Sequence, residues 1–256
     1  MATLWDLLKD CIPGDHARQV TSRYYVDQVM AAPGAPRAVV DLGCGKGASA
    51  AHFKRHDPAV RWIGVDIRDS PEARQHLPGG DPVVHYDGVR LPFRTDSLPL
   101  IYSHQVFEHV ARPRDLLGEI ARVLRPGGTF IGSTSQFEPY HSFSLWNYTP
   151  YGFRVLVEEA GLRLAEIRPS LDGVTLIMRS YRADGKSRYG RYWSEESPMN
   201  SEIDDWGRRT GRQTALVNLR KLTYCGQFAF RVVKPVDPAG AVTAPPAGSV
   251  ERIPVD

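Results

Sequence analysis

The chain has 256 residues and a formal net charge of +3, with 42% hydrophobic and 24% charged residues, which is typical of one globular domain with an elaboration. This charge is too small to indicate a nucleic-acid-binding surface, and no run approaches the ~20 apolar residues that span a bilayer. Residues 1–16 contain acids and lack a basic start before an apolar core, so we predict no signal peptide and a cytoplasmic protein. Cys11, Cys44 and Cys225 have neither disulfide nor metal spacing, and no metal site is predicted.

Residues 1–36 are predicted to form an N-terminal cap of two helices, the second over 16–32, because the Pro-Gly-Ala-Pro stretch at 33–36 breaks the chain. From Ala38 onward, five short apolar runs have the length of strands: AVVDLG, RWIGVDI, PVVHYD, LPLIYS and GTFIGST. Stretches with a helical pattern lie between them, and the clearest covers 114–125. This alternation predicts a parallel sheet that is covered by helices on both faces.

The pattern loosens after Thr134. A helix is predicted over 149–162, since a Thr cap and a Pro open it and Gly161 ends it, and RLAEIRP follows as a sixth strand. GQFAFRVVK, 226–234, is predicted as the seventh strand. A structureless loop of some fifty residues is unusual in a compact domain, so we expect 171–224 to be a helical insertion, either a lid over the acceptor site or an oligomer contact. Residues 235–256 are rich in Pro, Ala and Gly and are predicted to be a disordered tail.

The stretch AVVDLGCGKGASA, residues 38–50, joins an apolar strand to a turn with three glycines. A strand that feeds such a turn and then a helix leaves bare backbone N–H groups at the top of a parallel sheet, where a nucleotide-like cofactor can bind. The stretch also matches the dinucleotide fingerprint, so by itself it does not separate nicotinamide from adenosyl cofactors. Asp66 ends the second strand, where a carboxylate can accept from ribose hydroxyls. Asp87 ends the third strand, where it either accepts from an adenine amine or caps the turn before Gly88.

Five stretches occur together in order: VVDLGCGKG, WIGVDI, YDGVRLPF, SHQVFEHV and VLRPGG. Over roughly residues 38–165 their order and spacing resemble the class I S-adenosylmethionine-dependent methyltransferases, in the small-molecule-modifying branch. The resemblance implies an α/β fold with a Rossmann-like, doubly wound, mostly parallel sheet of seven strands, the last of them antiparallel. The methyltransferase domain is then expected over 37–234, with the helical insertion before the last strand.

The resemblance also implies S-adenosylmethionine as the cofactor and assigns a set of positions to its binding. These are Asp41, Gly43, Cys44, Gly45, Asp66, Ile67, Asp87, Gly88, Ser103 and His104. The glycine-loop residues are implied at the methionine end of the cofactor, and Asp66 at the ribose. Ile67, Asp87 and Gly88 are implied at the adenine. Ser103 and His104 are implied beside the sulfonium.

A base is needed if the methyl acceptor is a hydroxyl or a protonated amine, and histidine suits this task near neutral pH. His104 follows the fourth strand, and His141 lies on the loop after the fifth. We favour His141 as the base because its loop borders the acceptor side, and His104 as a positioning group. The same loop carries Phe137, Tyr140, Trp146 and Tyr148, which either line an acceptor pocket or pack on one another.

The sequence therefore predicts a methyltransferase that acts on a small molecule, in sugar or natural-product tailoring, with O-methylation favoured. N-methylation and C-methylation stay open, and so does a cofactor-binding protein of the same scaffold that transfers no methyl group. The predicted partner is a small-molecule methyl acceptor, with no membrane or nucleic acid. A homo-oligomer that forms through 171–224 is an open alternative.

Overall fold

The computed structural model describes residues 3–69 and 81–236, so nearly all of the predicted tail lies outside the described residues. Seven strands form one sheet. They are β1 (Ala38–Leu42), β2 (Arg61–Ile67), β3 (Val83–Tyr86), β4 (Leu98–His104), β5 (Leu124–Ser135), β6 (Arg163–Pro169) and β7 (Gln227–Val233). The α-helices are α1 (Leu4–Leu8), α2 (Ser22–Ala31), α3 (Ser49–His56), α4 (Pro113–Val123), α5 (Pro150–Glu159), α6 (Gly173–Tyr181), α7 (Gly185–Tyr189), α8 (Pro198–Arg209) and α9 (Thr214–Tyr224).

The strand order is β3-β2-β1-β4-β5-β7-β6. The contacts among β1 to β5 are parallel, whereas β7 runs antiparallel to both β5 and β6. The predicted seven-stranded, mostly parallel sheet with an antiparallel last strand is therefore confirmed. The order reverses between β1 and β4, and in such sheets ligands bind outside the carboxyl ends of the strands at this switch point.

Two hydrophobic cores lie against the sheet. The larger contains the buried face of α4, where Leu116, Leu117 and Ile120 have no exposed surface, together with aromatic side chains of β5, α5 and β7. The smaller contains residues of α2 and α3, such as Tyr25 and Phe53. Burial of these apolar side chains, at about 25 cal/mol per Å², holds helices on both faces of the sheet.

The N-terminal segment packs into both cores. Leu8 and Ile12 belong to the larger core, and Val20 to the smaller one. Between these contacts the segment follows β6, because the Ile167 amide donates to the Cys11 carbonyl and the Val20 amide donates to the Pro169 carbonyl. These strand-like bonds explain why α2 begins at Ser22 rather than at His16, as its pattern predicts.

Helices α6 to α9 fill the segment between β6 and β7. The fully buried Lys221 of α9 donates to the Ala17 carbonyl at 2.7 Å and pairs with Asp204 of α8 at 2.8 Å and with Glu196 at 3.1 Å. Asn218 donates to two further carbonyls of the N-terminal segment. The helices of 171–224 are thus joined to residues 13–17 by buried polar groups. Within the described part of the chain, no helix is both long and apolar enough to cross a membrane.

Candidate functional site

The turn after β1 has a backbone that suits glycine. Gly43, Gly45 and Gly47 all have positive φ, at +71°, +49° and +77°. A Cβ atom on Gly43 would also lie 2.3 Å from Cγ2 of Val106, in the segment that follows β4. The absence of a side chain at Gly43 therefore lets the β1 turn lie directly against the residues that follow β4.

Asp66 connects the end of β2 to this glycine turn. Its Oδ2 accepts from the Gly45 amide at 2.7 Å and its Oδ1 accepts from the Ile67 amide at 2.8 Å. The Asp66 carboxylate is nearly buried, whereas Ile67 is 41% exposed. A Cβ on Gly88 would lie 3.8 Å from Ile67, so these two positions are neighbours beside Asp66. The predicted ribose and adenine positions thus form one surface next to the glycine turn.

Asp87 is exposed and caps the turn after β3. Its Oδ1 accepts from the amides of Val89 and Arg90, at 2.9 and 2.7 Å. These two bonds lower the pKa of the Asp87 carboxyl, and the bond from Val89 has the larger effect. One carboxylate oxygen of Asp87 therefore caps the turn, as the alternative interpretation predicts. A contact of Asp87 with adenine stays a prediction.

A cavity of about 500 Å³ lies where β1 and β4 end, between α2 and α3. It is lined by Asp41, Gly43, Cys44 and His104 from the predicted cofactor set, and by Trp193 from the segment between α7 and α8. Asp66, Ile67, Asp87 and Gly88 lie outside this cavity. The structure thus brings Asp41, Gly43 and Cys44 of the predicted methionine end together in an open cavity and leaves the adenosine-end residues outside it.

Asp41 is the carboxyl group among the residues that line this cavity, which also include Arg23 and His52. Its Oδ2 accepts a short hydrogen bond from the Ser49 hydroxyl, which in turn accepts from Trp62 Nε1 at 2.8 Å. Burial raises the pKa of Asp41 to about 7, against the effect of the Ser49 hydrogen bond. An ammonium group bound in the cavity would favour the ionised form, since an opposite charge within a few ångströms stabilises a carboxylate.

His104 lies at the end of β4 with its ring open to the cavity on one side. Its Nδ1 is 2.9 Å from Ser133 Oγ and 3.0 Å from Ser22 Oγ. The surrounding protein, and then the Arg23 guanidinium, lower the pKa of His104 to about 4. The imidazole is therefore neutral at pH 7 and is a weak base.

Ser103 is fully buried, and its hydroxyl has no hydrogen-bond partner among the described residues. Its neighbours Tyr102 and His104 line the cavity. Since successive residues of a strand point to opposite faces, the side chain of Ser103 points away from the cavity. In this conformation only the backbone of Ser103, and not its side chain, can lie beside the sulfonium as the resemblance implies.

Gln105 joins the cavity to the acceptor side. It has a φ of +54°, which non-glycine residues rarely adopt. Its carboxamide fits best with the oxygen accepting from Ser133 Oγ at 3.1 Å. The nitrogen then donates to Glu108 Oε1 at 2.8 Å and to Glu138 Oε2 at 3.1 Å. A chain of hydrogen bonds thus runs from His104 through Ser133 and Gln105 to two carboxyl groups.

The loop after β5 is anchored on the short 3₁₀ turn Phe107–His109. The amides of Leu145 and Trp146 donate to the Glu108 carbonyl at 2.6 and 3.1 Å, and Trp146 Nε1 donates to the Val110 carbonyl at 2.9 Å. Sequence reasoning identified the EHV motif by resemblance but did not foresee that it holds this loop.

The aromatic residues of this loop divide into two groups. Phe137, Tyr140 and Trp146 are 52%, 75% and 47% exposed, as expected of residues that can contact a ligand. Tyr148 is 7% exposed, donates to the Phe107 carbonyl at 2.9 Å and packs against Phe153. The placement of Tyr148 in an acceptor pocket is therefore corrected: it is a core residue, because its ring faces the sheet.

His141 lies among acids on this loop. Its Nδ1 is 3.0 Å from the Pro139 carbonyl, which can only accept, so Nδ1 carries the proton and Nε2 carries the lone pair. Its ring packs edge-on against His109, with ring centroids 5.2 Å apart. Glu138 Oε1 lies 4.0 Å from His141 Nδ1. His141 is thus oriented with one nitrogen available to take a proton.

Glu108 is fully buried beneath this loop. Thr134 donates to the Glu108 carboxylate at 2.9 Å, and the Ser135 hydroxyl lies 3.2 Å from Glu108 and 2.5 Å from Glu138, so its one proton is donated to one of these two groups. Burial raises the pKa of Glu108 to about 7, and Glu138 adds to this while His141 opposes it. Ligand atoms of Glu108, His109 and His141 lie within 4.8 Å of one another, so one cation can reach all three. These carboxyl groups are the part of the site that strand and loop patterns did not predict.

Residues 40–132 match the family model described as a methyltransferase domain. The chain is 37% identical over 184 residues to an uncharacterized methyltransferase of Mycobacterium leprae, a match that covers 70% of this chain and 61% of that relative. The chain thus spans about three fifths of the length of this relative.

Two solved structures share the fold. One is a protein described as a methyltransferase, in complex with the Trm112 methyltransferase activator of Haloferax volcanii. It has 23% identity and a TM-score of 0.57, over 84% of this chain and 89% of that one. The other is phosphoethanolamine N-methyltransferase 2 of Haemonchus contortus in complex with S-adenosyl-L-methionine, with 14% identity and a TM-score of 0.54, over 84% of this chain and 52% of that one. With the glycine turn, the acids that end the strands and the sheet order, these likenesses agree with the resemblance found in the motifs: residues 40–132 carry a methyltransferase domain, and the sheet shares the fold of these two solved structures.

Proposed function

We propose that this protein transfers a methyl group from S-adenosylmethionine to a hydroxyl group of a small molecule, with His141 as the general base. The observation that carries the proposal is the Nδ1–H hydrogen bond of His141 to the Pro139 carbonyl, which leaves Nε2 to accept a proton, with the Glu138 carboxylate 4.0 Å from Nδ1. Bound S-adenosylmethionine supplies a sulfonium-activated methyl group, so the protein mainly has to align the acceptor and remove its proton.

The described residues fit this cofactor. Asp41 offers a carboxylate in the cavity for the ammonium of the methionine end, and burial keeps its pKa near 7 until such a cation is present. The glycine turn offers bare backbone above it. Asp66 retains lone pairs for ribose hydroxyls beyond its two amide contacts, because each carboxylate oxygen accepts about two hydrogen bonds. The exposed Ile67 offers an apolar face for the adenine.

The surroundings of the two histidines favour different roles. When His141 takes a proton, the nearby Glu138 carboxylate stabilises the imidazolium. For His104, burial and then the Arg23 guanidinium lower the pKa and so disfavour a second proton. We therefore assign His141 to proton removal and His104 to the orientation of the bound groups.

The acceptor side is bordered by Phe137, Tyr140 and Trp146, whose exposed rings offer apolar contact to a small organic acceptor. Trp193 brings the segment 171–224 to the rim of the cofactor cavity. This contact favours the lid over the oligomer contact as the role of the segment. A small acceptor enclosed by aromatic rings is the substrate class that this arrangement supports, and tailoring of sugars or natural products is one use of such a site.

The test uses the purified chain, methyl-labelled S-adenosylmethionine and a panel of hydroxylated and amino small molecules, with products identified by mass spectrometry. With a hydroxyl acceptor, His141→Ala should lower the rate about 100- to 10,000-fold at saturating substrate. His104→Ala should mainly raise the apparent KM. Binding of S-adenosylhomocysteine is measured on both variants, so that loss of the cofactor is not read as loss of the base.

Near-wild-type turnover in both variants would show that histidine base catalysis is wrong. Transfer to amines alone would favour the N-methylation alternative. Binding of the cofactor without transfer to any member of the panel would favour a protein of this scaffold that does not methylate.

A further inference from the structure

Three side chains of α2 and α3 converge beside the cofactor cavity, whose lining includes His52. Nε2 of His52 and Nε2 of His56 lie 2.9 and 2.8 Å from the same oxygen, Oδ1 of Asp27. One ligand atom of each residue lies within 4.8 Å of the other two. We propose that Asp27, His52 and His56 form a binding site for a divalent transition metal of the zinc class.

The residue types and their spacing suit such an ion. His52 and His56 are four residues apart on α3 and therefore project from the same face of the helix. Imidazole nitrogens and a carboxylate oxygen bind Zn²⁺ at about 2.0–2.2 Å, so an ion between them draws the three ligand atoms to the spacing of a tetrahedral site. Three protein ligands leave the fourth position to water.

The three groups are reachable from solvent. The side chains of His52, His56 and Asp27 are 14%, 27% and 51% exposed. A metal ion therefore does not need the helices to separate in order to enter. Partial burial of His52 still excludes enough water to make a three-ligand site more favourable than isolated surface histidines.

The hydrogen bonds without metal show what must change on binding. The Arg55 guanidinium donates to Nδ1 of His52, so this ring carries its proton on Nε2 and donates it to Asp27. Coordination through Nε2 requires the proton to move to Nδ1. The Nδ1–H group would then face Arg55, whose guanidinium cannot accept a hydrogen bond. Arg55 is exposed and can turn away, but in the position it occupies here it opposes the metal.

The position of the site gives the ion a structural consequence. Ser22, Arg23 and Val26 of α2 line the cofactor cavity, and Ser49 and Phe53 of α3 line it from the other side. Asp27 and the two histidines belong to these same helices. A bound ion therefore holds together the two helices that form opposite walls of the cavity.

The experiment titrates the metal-free full-length chain with Zn²⁺ by calorimetry and with Co²⁺ by visible absorption at pH 7.5, and records the melting temperature. We expect one ion at this site and the intense absorption of tetrahedral Co²⁺. At a Zn²⁺ concentration a hundred times Kd, the melting temperature should rise by about 5–10 °C. His56→Ala should weaken binding more than about tenfold, since even outer-shell substitutions cost about 10- to 100-fold in metal affinity.

Two matched variants complete the design. His85→Ala removes an exposed histidine of β3 that is outside the cluster and should leave the Zn²⁺ affinity unchanged. Arg55→Ala removes the competing donor and a positive charge and should tighten binding several-fold. The proposal is overturned if the wild-type chain binds no ion below millimolar concentration, or if His56→Ala and Asp27→Asn, shown to be folded by circular dichroism, bind Zn²⁺ as the wild type does.

Discussion

Asp66→Ala tests whether the end of β2 both holds the glycine turn and binds the cofactor. The substitution removes the acceptor of the Gly45 amide at 2.7 Å and of the Ile67 amide at 2.8 Å. Asp66 is 6% exposed, so water replaces these bonds only in part. Each lost bond at a buried donor costs roughly 1–3 kcal/mol, which for a chain of this length lowers the melting temperature by several degrees.

The loss of binding adds to this loss of stability. The ribose hydroxyls lose an ionised acceptor, and a hydrogen bond to a charged group contributes roughly 1.5–3 kcal/mol, so Kd for S-adenosylhomocysteine should rise about tenfold to a hundredfold. Calorimetry at a temperature where the variant is folded measures this change. Asp205→Asn removes an exposed carboxylate on α8 and is the control for charge. A Kd within twofold of wild type in folded Asp66→Ala would refute the placement of the ribose at Asp66.

Three further predictions concern stability. Burial raises the pKa of Glu108 to about 7, above about 4.3 in an unfolded chain. The folded state therefore binds more protons between these values, and this contribution to stability is lost as pH rises from about 4 to 7. Urea unfolding at pH 4.5 and 8 should show wild type losing on the order of 3 kcal/mol relative to Glu108→Gln, and equal pH profiles would contradict this. Gly43→Ala should lower the melting temperature more than Gly34→Ala, since both have positive φ but only the Cβ at Gly43 meets Val106; equal losses would show that the contact is harmless. Truncation after Lys234 should leave the melting temperature and cofactor binding nearly unchanged, because 235–256 lack an apolar pattern, and a large loss would mean that this segment docks on the domain.

Several elements were predictable from local patterns. The apolar runs that became β1 to β5 are short and bounded by turn residues, and the helical pattern over 114–125 overlaps α4. The glycines after β1 have positive φ because no other residue adopts it at so little cost. Asp66 ends β2 beside the turn, as its position after an apolar strand predicts. Such features depend on neighbours in the chain, so the sequence carries them directly.

The second helix shows the limit of local patterns. Residues 16–21 have a helical composition, yet hydrogen bonds with β6, nearly 150 residues later, extend their backbone. Tyr148 resembled its aromatic neighbours in the loop until packing placed its ring in the core. The spacing of His52 and His56, four residues apart on one helix, is a metal-ligand signal in the sequence. That spacing became a candidate site only when Asp27 of another helix was found beside them.

The sequence by itself determined the family resemblance, the order of strands and helices and the glycine turn with Asp66 beside it, because these follow from short motifs whose geometry is local. Only the tertiary structure decided how the acceptor side is built. Glu108 belongs to a turn after β4, Glu138 and His141 to a loop after β5, and Gln105 lies between them. No spacing along the chain predicts that these groups meet. Their proximity and the raised pKa of Glu108 arise from burial by residues that are distant in sequence.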